Sequence, residues 1–64
     1  MESVLLTPQE ICERYHISLH TLYQWTASNY IPHLKIGGQL RFRLSDLLKW
    51  EEDNLVGAHK AELL

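Results

Sequence analysis

The sequence predicts a mainly α-helical fold carrying one small β-hairpin, and three stretches carry that prediction. Thr7-Pro8-Gln9-Glu10 opens a helix. Ile17-Ser18 reopens one after a short break. Ile36-Gly37-Gly38-Gln39-Leu40-Arg41-Phe42-Arg43 alternates apolar with polar or basic residues on either side of two glycines. The 64 residues make one domain over 1–64. A chain of this size buries only about 60% of the surface its unfolded form exposes, so its core is thin. With 45% hydrophobic and 22% charged residues the composition is that of a globular domain, which argues against disorder.

The elements follow in order. Thr7 caps the first helix, Pro8 fits its first position and Glu10 completes a capping box. Ile11, Cys12 and Tyr15 then share one face, and the helix ends near Tyr15 or His16. Ser18 caps the second helix, and Ile17 is placed to staple against Leu22. Leu22 and Trp25 face inward, leaving His20, Tyr23, Gln24 and Ala27 outside. Asn29 suits a left-handed C-terminal position. Pro32 bars further helix. His33–Ile36 and Leu40–Arg43 read as short strands joined at Gly37-Gly38, whose free φ angles fit a tight turn. Leu34, Ile36, Leu40 and Phe42 are expected on one side of the ribbon, and Lys35, Arg41 and Arg43 on the other. Ser45-Asp46 caps a third helix over about 45–55, with Leu47 and Trp50 inward and Glu51, Glu52 and Asp53 on its solvated surface. Residues 56–64 are left unassigned; Gly57 is a helix breaker, and His59–Leu64 form a short helix, a contact between copies or a frayed end.

Charge is unevenly distributed. The formal net charge is −2, yet no Asp or Glu occurs between Arg14 and Ser45, a stretch holding Arg14, Lys35, Arg41 and Arg43 with His16, His20 and His33. One face can therefore be locally positive, and local potential matters to a polyanion more than the sum does.

Two helices joined by a tight turn make a helix-turn-helix over about 7–28, and the basic ribbon at about 33–43 takes the position of a wing. From Leu6 to Trp50 the chain resembles the excisionase family of small winged helix-turn-helix proteins, relatives of the MerR-type DNA-binding domain. The matching residues are Leu6-Thr7-Pro8-Gln9-Glu10, Ile17-Ser18, Thr21-Leu22-Tyr23-Gln24-Trp25, Ile31-Pro32, Lys35-Ile36-Gly37-Gly38, Arg41-Phe42, and Ser45-Asp46-Leu47 through Trp50. Their order and spacing, rather than any one piece, carry the likeness. The chain departs from the family in the second helix, where Leu19, His20, Tyr23 and Gln24 stand at positions that are commonly basic. The resemblance implies double-stranded DNA as partner, with the second helix in the major groove and the wing on neighbouring minor groove or backbone. It also implies a role as recombination directionality factor or transcriptional regulator, beside an integrase or further copies of itself on DNA.

On the recognition helix the candidate contacts are Ser18, whose neighbouring amides can meet a phosphate, and Leu19, His20, Tyr23 and Gln24. Gln24 can pair with adenine N6 and N7, Leu19 can touch thymine methyls, and Tyr23 can donate to a phosphate or touch a thymine methyl. The plain alternatives are helix capping and ordinary surface. On the wing and backbone the candidates are Arg14, Lys35, Gly37, Gly38, Gln39, Arg41 and Arg43. Lys35, Arg41 and Arg43 on one ribbon edge suit phosphates or a narrow minor groove, and the glycines keep the tip slim. Solubilising charge, or ion pairs with the acidic third helix, is the alternative there.

Cys12, His16 and His20 fall four apart, but the helix break separates them and no further ligand completes a tetrahedral site, so no metal or cofactor is expected. Nothing pairs a nucleophile with a base, so no enzyme is expected. The lone Cys12 excludes an intramolecular disulfide and fits a reducing cytosol. With no apolar run near the roughly 20 residues of a membrane span and no signal-peptide pattern, a cytoplasmic location is expected, with no membrane contact and no small-molecule effector domain. A protein-docking module on the same scaffold, using Leu55-Val56 and Leu63-Leu64, is the rival reading.

Overall fold

The computed structural model describes residues 4–57; Leu63-Leu64 and the assignments at 59–64 lie outside them. The chain begins with β1 (Leu5–Leu6), then α1 (Pro8–Tyr15) and α2 (Leu19–Ala27), then the hairpin β2 (Leu34–Ile36) and β3 (Gln39–Arg43), and ends in α3 (Leu44–Asp53). The three strands form an antiparallel sheet of order β1-β3-β2.

Local sequence accounts for most boundaries. The capping box closes as expected: the Glu10 amide donates to Thr7 Oγ1 at 3.2 Å and the Thr7 amide to Glu10 Oε1 at 2.8 Å. His16 takes the left-handed conformation (φ 57°) and stops α1, with the Ile17 amide donating back to the Cys12 carbonyl. Ser18 Oγ accepts the Thr21 amide at 3.1 Å and starts α2. At its far end Asn29 (φ 59°) turns the chain, and the Tyr30 amide reaches the Trp25 carbonyl at 2.8 Å, satisfying a carbonyl the helix leaves open.

Among the described residues five hydrophobic side chains are fully buried: Ile11 from α1, Leu22 from α2, Ile31, Phe42 from β3 and Leu47 from α3. Burying each contributes about 1.5–3 kcal/mol against about 1 kcal/mol for a cap, so the core sets how the helices sit and the caps set where they stop. Beside this core Trp25, Tyr30 and Trp50 pack mutually at ring-centroid separations of 5.2, 5.4 and 6.0 Å, with Tyr15 at 5.7 Å from Trp50. Such tilted and edge-on pairs add stability beyond the area they bury.

Three expectations need correction. First, β1 is absent from the sequence reading: two residues are too few to show alternation, and Leu5 and Leu6 become a strand only by pairing with Arg43 and Phe42. Second, α3 starts at Leu44, not after a Ser45 cap. Strand β3 runs straight into it, and Arg43 serves as the extended N-cap residue without a side-chain capping bond. The helix ends at Asp53, where Asn54 Nδ2 donates to the Trp50 carbonyl at 2.8 Å. Third, the ribbon's faces differ from those expected. The two-residue turn pairs Ile36 with Gln39, Lys35 with Leu40 and Leu34 with Arg41. Directly opposed residues share a face, so Lys35 lies with Leu40 and Phe42, and Arg41 lies with Leu34 and Ile36. Consistently, Ile36 is 50% exposed, not part of the core.

Candidate nucleic-acid interface

The turn between α1 and α2 leaves the outer surface of α2 open. Ser18, Leu19, His20, Tyr23 and Gln24 are all exposed along it, Leu19 by 38% and Tyr23 by 47%. A cleft runs between the C-terminal part of α2 and the wing; of these five residues Tyr23 lines it, and Ser18, Leu19, His20 and Gln24 do not. Tyr23, Thr26 and Ala27 of α2 line one wall, and Lys35, Gln39 and Arg41 of the hairpin line the other. Thr7, Pro8 and Gln9 close one end, and no Asp or Glu is among the lining residues. Sequence reasoning missed the contribution of α1. Gln9, polar and next to the helix start, is exposed there.

The wing tip is a tight turn in which Gly37 (φ 57°) and Gly38 (φ 81°) both take positive φ. A Cβ at either position would meet nothing within 4 Å, so the glycines serve the turn's backbone and not its packing. Gln39 is exposed beside them.

The expected cations separate into two groups. Lys35 is exposed, and Arg41 is half-buried with Nη1 donating to the Leu40 carbonyl at 2.7 Å; neither makes an ion pair among the described residues. They stand on opposite faces of the ribbon yet line the same cleft. Arg43 is different: its Nε lies 3.0 Å from Asp46. Both partners are nearly half exposed, so the pair is worth at most about 1 kcal/mol and a phosphate can compete for the arginine. Arg14 is held more firmly. Its Nε and Nη2 donate to the two oxygens of Glu51 at 2.7 and 3.0 Å, and Tyr15 Oη donates to the same carboxylate at 2.6 Å. Glu51, expected on a solvated surface, instead ties α3 to α1.

This triad perturbs all three groups. The Arg14 hydrogen bonds hold the Glu51 carboxyl below its ordinary range against the opposing effect of burial, with a lesser contribution from the Tyr15 hydrogen bond. Its hydrogen bond to Glu51 raises Arg14 further. Burial, then the hydrogen bond to Glu51, pushes Tyr15 up to about 12.

Among the described residues no group of three or more His, Cys, Asp or Glu is placed to hold a metal, and no helix is long and apolar enough to cross a membrane. His16 lies at the break between α1 and α2, so Cys12 and His20 belong to different helices.

Two helices about a short turn, a third helix and a small sheet ending in a slim ribbon define a winged helix-turn-helix, the architecture of a DNA-binding domain. A family model described as a helix-turn-helix domain matches residues 5–54, from β1 to the end of α3, and the chain belongs to that family. No curated protein and no solved structure matches it.

Proposed function

We propose that the protein binds double-stranded DNA with sequence preference, α2 lying in the major groove and the wing on the adjoining backbone or minor groove. It acts without chemistry of its own, as an architectural factor in recombination or as a transcriptional regulator. The observation that carries this reading is the acid-free cleft, where Tyr23, Thr26 and Ala27 of α2 and the two unpaired cations of the wing line one space. Acids gather elsewhere: Glu51, Glu52 and Asp53 fall in the last turn of α3.

The cation count sets the strength. With Lys35 and Arg41 neutralising two phosphates, the slope of log affinity against log salt is about −1.8, and fourfold more salt weakens binding about tenfold. Release of Arg43 from Asp46 brings the slope to about −2.7. A single small module covers only about 600–1,000 Å² of protein surface, so useful occupancy calls for further copies or a partner such as a recombinase.

The test is fluorescence anisotropy on random and selected duplexes over a salt series. The expected result is a salt-dependent signal. Lys35→Ala with Arg41→Ala weakens binding to every sequence and removes most of the slope, whereas Gln24→Ala alters discrimination among sequences. Asp46→Asn, by releasing Arg43, steepens the slope. A salt-independent signal, or none, favours a protein-docking role for the same scaffold.

A further inference from the structure

The reading of α2 as the helix that meets base edges, on which this inference rests, raises the question of which bases its surface can recognise. The Ser and Thr hydroxyls of α2 and its two caps are already committed. Ser18 Oγ accepts the Thr21 amide and donates to Thr21 Oγ1 at 3.0 Å. Thr26 Oγ1 donates to the Tyr23 carbonyl at 3.0 Å, and Ser28 Oγ to the Gln24 carbonyl at 3.1 Å. What remains exposed along α2 is Leu19, His20, Tyr23, Gln24 and Ala27, and none of them is a permanent cation. The cations lining the cleft, Lys35 and Arg41, both belong to the hairpin.

In the major groove guanine presents two acceptors, O6 and N7, and the commonest specific partner is a bidentate Arg or Lys. Helix α2 has neither. His20 can give a single N–H toward guanine N7, which is one bond and not the bidentate pair. For an A·T pair the match is closer. Thymine presents its C5 methyl to apolar surface, and adenine presents an N7 acceptor and an N6 donor to a carboxamide. Leu19 and Tyr23 offer the first partner and Gln24 the second.

We infer that α2 reads an A·T-rich segment, with Leu19 and Tyr23 against thymine methyls and Gln24 on adenine. The wing agrees with this choice. A·T tracts narrow the minor groove and deepen its negative potential, which favours an inserted cation such as Lys35 or Arg41.

The experiment selects bound duplexes from a random pool with the full chain. It then compares the selected duplex with versions carrying uracil for thymine, which removes only the major-groove methyl, or 7-deazaadenine for adenine, which removes N7. The expected result is an A·T-rich core, with about fourfold weaker binding for each contacted methyl removed. Gln24→Ala abolishes the 7-deazaadenine penalty. Leu19→Arg, at an exposed position where the fold tolerates change, moves selection toward guanine. Because uracil leaves the minor groove unaltered, its penalty separates α2 from the wing. A G·C-rich core, or binding indifferent to both base analogues, overturns this inference and leaves DNA binding standing. Failure to bind any duplex overturns both.

Discussion

At the scale of single residues, Glu51 joins two elements that are far apart in sequence. Three consecutive acids in the last turn of α3 oppose the helix dipole, which favours cations there. For Glu51 the bidentate Arg14 contact offsets that cost and crosses to α1. Its folded-state carboxyl titrates below the ordinary 4.5. The stabilisation is therefore complete above about pH 4.5 and is lost as pH falls through the lower folded value. Tyr15, raised from 10.0 to about 12, has its contribution in full below pH 10 and loses it as pH rises through about 12. Both Arg14 and Glu51 are about one-third exposed, so solvent screens the pair. Glu51→Gln is expected to cost about 1 kcal/mol at pH 7 in urea unfolding, with the difference from wild type closing below pH 4.5. An equal difference at pH 3 would show that the ion pair is not its source.

At the scale of elements, the hairpin depends on its turn. Both central residues have positive φ, a combination characteristic of the tight turns that match strand twist. Gly38→Ala meets no neighbour, so its expected cost of about 1 kcal/mol is backbone strain alone. Thermal melts measure the cost, and a neutral result would mean that the turn can adopt another geometry. Elements with local signals were legible in the sequence: the Thr7 capping box, the Ser18 cap, the Asn29 turn and the two-glycine loop all depend on residues within a few positions of each other. Features set by pairing at a distance were not. Strand β1 exists only through β3, and Arg14 meets Glu51 across 37 positions. The ribbon's faces were mistaken for a different reason. The turn was recognised, but its length fixes which residues oppose each other, and a two-residue loop places Lys35 opposite Leu40. Of the candidate interface, the exposed side of α2 was readable from helical spacing; the Arg14–Glu51 pair was not, and the Arg43–Asp46 pair had a signal only as the alternative of ion pairing with the acidic third helix.

At the scale of the whole molecule, a chain of net charge −2 places two cations, Lys35 and Arg41, where they can meet a polyanion. The acids of α3 neutralise two arginines, leaving Lys35 and Arg41 at an acid-free cleft beside α2. Local potential, not total charge, then governs approach to DNA. The most direct measurement is amide chemical-shift mapping by NMR while a selected duplex is added to the labelled protein. The expected shifts concentrate at Ser18 to Gln24 and at Lys35 to Arg41, with Leu48 and Glu52 on the outside of α3 unmoved. Shifts centred on α3 with the cleft silent would contradict the account.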